Sequence, residues 1–178
     1  MLIQPLGASG VFGIKLSKFV DKRGSLTRIF DRVDELGKFN LGQASYVQNS
    51  GVGLLRGIHF QMSPDSETKL ILCLSGQIFD VVVNLASVNL ACPMVIENTI
   101  GEDCDYQGLL IPPGFAHGYM TLTSQSALVY FMDRDYVADS ASGLLWSDPL
   151  LGIKWPHDPK IISLRDSSWP LITKQVQP

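Results

Sequence analysis

Apolar residues in this chain come in short runs closed off by turn-forming residues, and the pattern is densest from residue 54 onward. Strands are predicted at 54–61, 69–74, 77–85, 94–98, 107–111, 117–122 and 126–132. Ser63-Pro64-Asp65-Ser66, Leu74-Ser75-Gly76-Gln77 and Pro113-Gly114 separate some of them. Glycine at 76 and 114 suits tight bends or a positive φ. Upstream, residues 1–20 read as short strands around Gly7 and Gly10, and Asp21-Lys22-Arg23-Gly24 as a turn. A further strand is expected at 26–30, a short helix at 31–36 ended by Gly37, and strand character at Tyr46-Val47-Gln48. Residues 133–178, with Trp146, Trp155 and Trp169, read as an irregular arm with short helical turns over the body, frayed at 174–178. Many short strands without a long amphipathic helix favour an antiparallel sandwich or barrel over a βαβ fold. The expectation is an all-β jelly roll occupying 1–178 as one domain.

Composition narrows the function. A chain of 178 residues can bury a substantial core. Only 17% of residues are charged against 46% hydrophobic, which leaves room for an apolar face covered by a second copy. The net charge is -3 and no basic patch follows the sequence, which argues against nucleic acid as partner. A small phosphorylated ligand needs only a few cations and stays open. Cys73, Cys92 and Cys104 have no zinc spacing, and their odd number argues against a closed disulfide scaffold; Cys73 reads as a buried thiol. No leader-like segment and no apolar run of membrane-spanning length is present, so a cytoplasmic protein without a membrane partner is expected.

Candidate chemistry lies in polar residues set inside apolar strands, where a charge is desolvated unless something pairs with it. His59, in Leu54-Leu55-Arg56-Gly57-Ile58-His59-Phe60-Gln61, is the leading general base or else a buried hydrogen-bonded histidine. Arg56 faces away from His59 on an ideal strand unless a bulge near Gly57 intervenes; its fork suits phosphate or an ion pair. Lys69 opens an apolar strand, either solvated or turned inward to hold an oxyanion or phosphate. His117, after Pro112-Pro113-Gly114, has small neighbours that suit a substrate or a tight turn alike. Tyr130 is a core aromatic or a proton donor, its free pKa being near ~10. Asp148 either orients a histidine or starts the turn at Asp148-Pro149. Three scattered histidines do not form a cupin-type metal cluster, and neither a nucleotide-hydrolase phosphate loop nor a dinucleotide fingerprint occurs, so no metal or cofactor is expected.

These residues lie in segments that strongly resemble the dTDP-4-dehydrorhamnose 3,5-epimerase family. The matching pieces include Asp21-Lys22-Arg23-Gly24, Gln48-Asn49-Ser50, Leu55 to Gln61, Lys69-Leu70, Gly76 to Val81, Ile111 to Gly118, Tyr130, Tyr136 and Trp146-Ser147-Asp148-Pro149 with Gly152 to Pro156, in the family's order. The resemblance implies a cupin-type antiparallel jelly roll, and a homodimer in which an N-terminal strand crosses to the partner. It implies a nucleotide-diphosphate 4-keto sugar, dTDP-linked, as substrate. His59 is then the base with Asp148 as dyad partner, Tyr130 the acid on the opposite face, and Lys69 the enolate stabiliser. His117 sits near the sugar, Arg56 and Arg23 hold the diphosphate, Arg23 from its own chain or from the partner, and Gln48, Asn49 and Tyr136 line the site.

A 4-keto sugar has acidic carbons at C3 and C5. Inverting either needs a base, a stabilised enolate and an acid on the opposite face, without metal or redox cofactor. The family usually has Glu at Arg28, Asp at Asn84, Arg near Ala86, a Ser-Pro pair near Asn89-Leu90, and charged residues where Ala141-Ser142 stand. Asn84 removes a charge that would otherwise support a nearby histidine, while Arg28 and Ala141 bear on which nucleotide is carried. Epimerisation at C3 and/or C5, epimerisation at C3 alone, epimerisation of a different nucleotide sugar, and a noncatalytic sugar-nucleotide-binding protein are the readings carried forward.

Overall fold

The structure, a computed structural model, describes residues 1–31, 39–87 and 93–172. Its strands are β1 (Leu2–Pro5), β2 (Phe12–Lys15), β3 (Lys18–Asp21), β4 (Gly24–Thr27), β5 (Gln43–Ser50), β6 (Leu54–Gln61), β7 (Lys69–Ser75), β8 (Gln77–Asn84), β9 (Val95–Gly101), β10 (Gly108–Ile111), β11 (Phe115–Thr121), β12 (Gln125–Met132), β13 (Ala141–Gly143) and β14 (Ile161–Ile162), followed by the one-turn helix α1 (Leu164–Ser167). One sheet runs β1-β2-β10-β7-β12-β5 and the other β13-β6-β11-β8-β9, with β14 added in parallel along β6. β3 and β4 form a separate two-stranded hairpin.

The predicted strands from residue 54 onward are all present with small shifts at their ends. The expected strand at 26–30 overlaps β4 only at its start. The helix expected at 31–36, apart from Asp31, and the frayed end at 174–178 lie outside the described residues. The arm from residue 133 is irregular, with β13, β14 and α1 as its short elements.

Simple alternation fails in the central strands because their sheets are covered on both faces. Ile71, Cys73, Leu109, Ile111 and Leu128 of the first sheet meet Ile78, Val82, Ile100 and Tyr119 of the second in the inner core. On the far side of the second sheet, Ile58, Phe60, Val81, Val83 and Ala116 are covered by Leu144, Leu151 and Ile172 of the arm, with Ile153 and Trp155 packed against them. Ile14, Leu70, Leu72 and Leu110 form a third cluster with Ile3, Phe12 and Phe131. Each fully buried side chain of this size contributes about 1.5–3 kcal/mol. Two-faced burial therefore explains why β7 and β8 read as continuous apolar runs. Cys73 belongs to the inner core, where burial pushes its thiol up to about 12. Among the described residues no helix is long and apolar enough to cross a membrane.

Candidate active site

A cavity of about 610 Å³ gathers most of the candidate polar residues among apolar neighbours. Its walls come from both sheets and from the arm: Arg56, His59 and His117 from the second sheet, Lys69 and Tyr130 from the first, Arg165 and Asp166 from α1. Arg56 and His59 reach the same cavity because β6 carries an extra residue. His59 pairs with His117 and Arg56 with Tyr119, so three steps on β6 match two on β11. Gly57 sits in this bulge with φ +131°, and a Cβ there would lie 2.4 Å from Gly118 Cα. Only glycine fits so close a crossing.

His59 Nε2 lies 2.6 Å from Asp166 Oδ1, and the Gly57 N–H donates to Asp166 Oδ2 at 3.4 Å. Burial alone would raise the Asp166 pKa, but the bond and charge of His59, with the donors from Gly57 and Ser163, hold it below the ordinary value. Asp166 is placed by α1, whose N-cap Ser163 accepts from the Asp166 N–H. The edge of Trp169 meets the His59 ring at 6.2 Å between centroids, and Arg165 lies 5.1 Å over the Trp169 ring. Gly143 makes room for that indole: a Cβ there would fall 2.4 Å from Trp169 Cε2.

His117 Nε2 is 2.6 Å from Asp80 Oδ2, both side chains buried. Lys69 donates to the His59 carbonyl oxygen at 3.1 Å and pairs with Glu67 at 2.9 Å. Arg56 Nε donates to Asn49 Oδ1 at 3.0 Å, and the Tyr119 hydroxyl donates to the same oxygen at 3.2 Å. Burial pushes the Tyr130 phenol well above its usual range, and the neighbouring Tyr119 and Asp80 push it further. Among the described residues, no three His, Cys, Asp or Glu side chains gather to hold a metal ion.

The sequence model of the dTDP-4-dehydrorhamnose 3,5-epimerase family matches residues 5–174. The chain belongs to this family. It is 32% identical over 176 residues to the dTDP-4-dehydrorhamnose 3,5-epimerase of Sinorhizobium fredii, covering 96% of this chain and 89% of that one. It is also 32% identical, over 172 residues, to the dTDP-4-dehydrorhamnose 3-epimerase of Streptomyces niveus, with 93% and 81% covered. The crystal structure of the 3,5-epimerase of Bacillus anthracis, with TDP and PPi bound, superposes with a TM-score of 0.84 at 31% identity, covering 96% of this chain and 99% of that chain.

The enzyme, an isomerase by family, departs from several of the expectations about its site. Asp148 is not the partner of His59. Both its carboxylate oxygens accept from backbone, Oδ1 from the Leu150 N–H at 2.9 Å and Oδ2 from the Ile172 N–H at 2.7 Å, so it is the turn-former of the two readings. Gln48 is exposed and does not line the cavity, because strand alternation on β5 sends Gln43, Ser45 and Val47 inward instead. Asn49 is buried behind the wall, gripping Arg56 and Tyr119. Tyr136 stands at the rim, 55% exposed, with its hydroxyl 3.5 Å from Arg165 Nη1. Arg23 lies on the β3–β4 turn, paired with Asp21 at 2.6 Å and outside the cavity lining. Sequence reasoning missed Asp166, Arg165 and Glu67. The spacing Ser163-x-x-Asp166 was the one available signal for Asp166, since it marks a helix start.

Proposed function

We propose that the enzyme epimerises a dTDP-linked 4-keto-6-deoxy sugar at C3 and C5 by proton transfer between His59, Tyr130 and the sugar. The observation that carries this reading is the pairing of two unlike groups across one cavity. A histidine held by a carboxylate projects from the second sheet, and a phenol with a raised pKa projects from the first.

The Asp166 contact fixes a proton on His59 Nε2 and leaves the Nδ1 lone pair as the base. His59 takes the proton from the carbon beside the ketone, and the imidazolium that forms is stabilised by the Asp166 carboxylate. The electron pair moves to the ketone oxygen, where the Lys69 ammonium donates to the enolate. Tyr130 then gives its proton to the opposite face of the carbon, which inverts it, and proton exchange with solvent resets both groups. The raised pKa of Tyr130 keeps its proton in place until a strongly basic enolate carbon presents itself. Arg56 and Arg165 supply positive charge beside the cavity for the diphosphate.

The enzyme acts as a homodimer in this reading. Phe19, Val20 and Leu26 are 65%, 73% and 64% exposed on a hairpin that pairs with neither large sheet. An isolated two-stranded hairpin is barely stable alone, and its apolar face calls for a second copy to cover it. Crossing over would bring Arg23 to the partner's diphosphate.

The test is proton NMR of dTDP-4-keto-6-deoxy-glucose with the enzyme in D₂O, alongside His59→Ala. His59-dependent deuterium uptake and inversion at both C3 and C5 is the expected result. Uptake confined to C3 would make it a one-centre epimerase, as the Streptomyces niveus relative is named. Absence of His59-dependent uptake would overturn the reading.

A further inference from the structure

Glu67 is a carboxylate that the mechanism above does not use. It lies just before β7, is 7% exposed, and still contributes to the cavity wall. Its Oε1 pairs with Lys69 Nζ at 2.9 Å, while Oε2 is closed off from solvent and has no hydrogen-bond partner among the described residues. Lys69 is itself only 8% exposed. A buried pair of this kind is a weak source of stability, because desolvating both ions offsets their attraction. An unpartnered carboxylate oxygen adds a further cost. The arrangement is therefore poorly explained as a fold stabiliser.

It is well explained as a fixture for the ammonium. Two of the three Lys69 N–H groups are committed, one to Glu67 and one to the backbone carbonyl of His59. The third is left for the cavity that Lys69 lines. Held from both sides, the ammonium cannot swing, and its link to the His59 carbonyl ties it to the base. We infer that Glu67 is a positioning residue that aims Lys69 at the enolate oxygen, an inference that rests on the epimerase reading above.

The experiment compares Glu67→Met, Glu67→Gln and Glu67→Asp in steady-state turnover and deuterium uptake. Glu67→Met keeps the volume but removes the acceptor, and should lower kcat by about 10–100-fold with KM within about threefold. Glu67→Gln keeps an acceptor oxygen and should recover most of the lost kcat. Glu67→Asp withdraws the acceptor by one methylene and should lose kcat as well, which keeps the test open if the Met variant does not fold. The inference is overturned if Glu67→Met turns over like wild type and only melts lower, if the change lies in KM alone, or if the Gln variant is as slow as the Met variant. Wild-type kcat in the Asp variant would overturn it too. In all these cases wild-type uptake remains His59-dependent, so the epimerase reading stands. Loss of that uptake in the wild type would instead sink both.

Discussion

Replacing Asp166 with Asn removes a charge from the dyad while leaving a hydrogen-bond acceptor in place. In the wild type, Asp166 Oδ1 is 2.6 Å from His59 Nε2. That contact puts the charge centres of an imidazolium and a carboxylate roughly 4 Å apart, where they attract by about 4 kcal/mol at an effective dielectric constant of about 20. The His59 side chain is 43% exposed, so water screens part of this. About 2–3 kcal/mol remains after that discount, equivalent to roughly 30–150-fold in rate. In the proposed mechanism the imidazolium forms on proton abstraction, so the loss should fall on kcat, with KM little changed. Turnover and deuterium uptake measured on the same preparation would show it. Activity of the Asp166→Asn variant within about threefold of wild type would refute the assignment of this carboxylate to the base.

Other expectations follow from the same geometry. Asp148→Ala leaves the Leu150 and Ile172 N–H groups without their side-chain acceptor, so the melting temperature should drop by the equivalent of about 1–3 kcal/mol, while kcat of the folded fraction stays near wild type. Gly143→Ala drives a methyl group into the Trp169 indole, and should lower kcat at least about tenfold with the sandwich intact by circular dichroism, since that ring borders His59. The folded pKa of Asp166 lies below its ordinary 3.8, so its contribution to stability is complete above that value and is lost as pH falls through the lower folded one. The difference in melting temperature between wild type and Asp166→Asn should accordingly shrink as pH is taken from about 5 towards 2.

The barrel strands were legible in the sequence because turn residues punctuate short apolar runs, and β6 was located to its ends. Position along a strand was less legible. The bulge at Gly57 changes which residues share a face, and nothing in the local spelling reveals whether a glycine in a strand is a bulge or a close crossing. Gln48 and Asn49 were both expected in the site from the family resemblance, but neighbours on a strand point to opposite faces, and β5, paired with β12, turns Gln43, Ser45 and Val47 to the cavity. His59, Lys69, His117 and Tyr130 stood out because polar groups in apolar strands are costly, and the cavity gathers all of them. Asp148 and Asp166 both lie in the irregular arm, where no periodicity says which carboxylate reaches inward. Asp148 looked stronger in its Trp-Ser-Asp-Pro setting, yet its oxygens serve backbone N–H groups.

That the dyad carboxylate rides on the arm has a consequence for the order in which the protein comes to exist. The strands bearing His59, Lys69 and Tyr130 are complete by residue 132, but Asp166 is synthesised 34 residues later and reaches His59 only when β14 has docked along β6. On the proposed mechanism, a nascent chain that ends at residue 132 has the strands of His59, Lys69 and Tyr130 but not the carboxylate that holds the base. In that mechanism, proton-transfer competence therefore waits on the arm, whose Leu144, Leu151 and Ile172 pack on the second sheet.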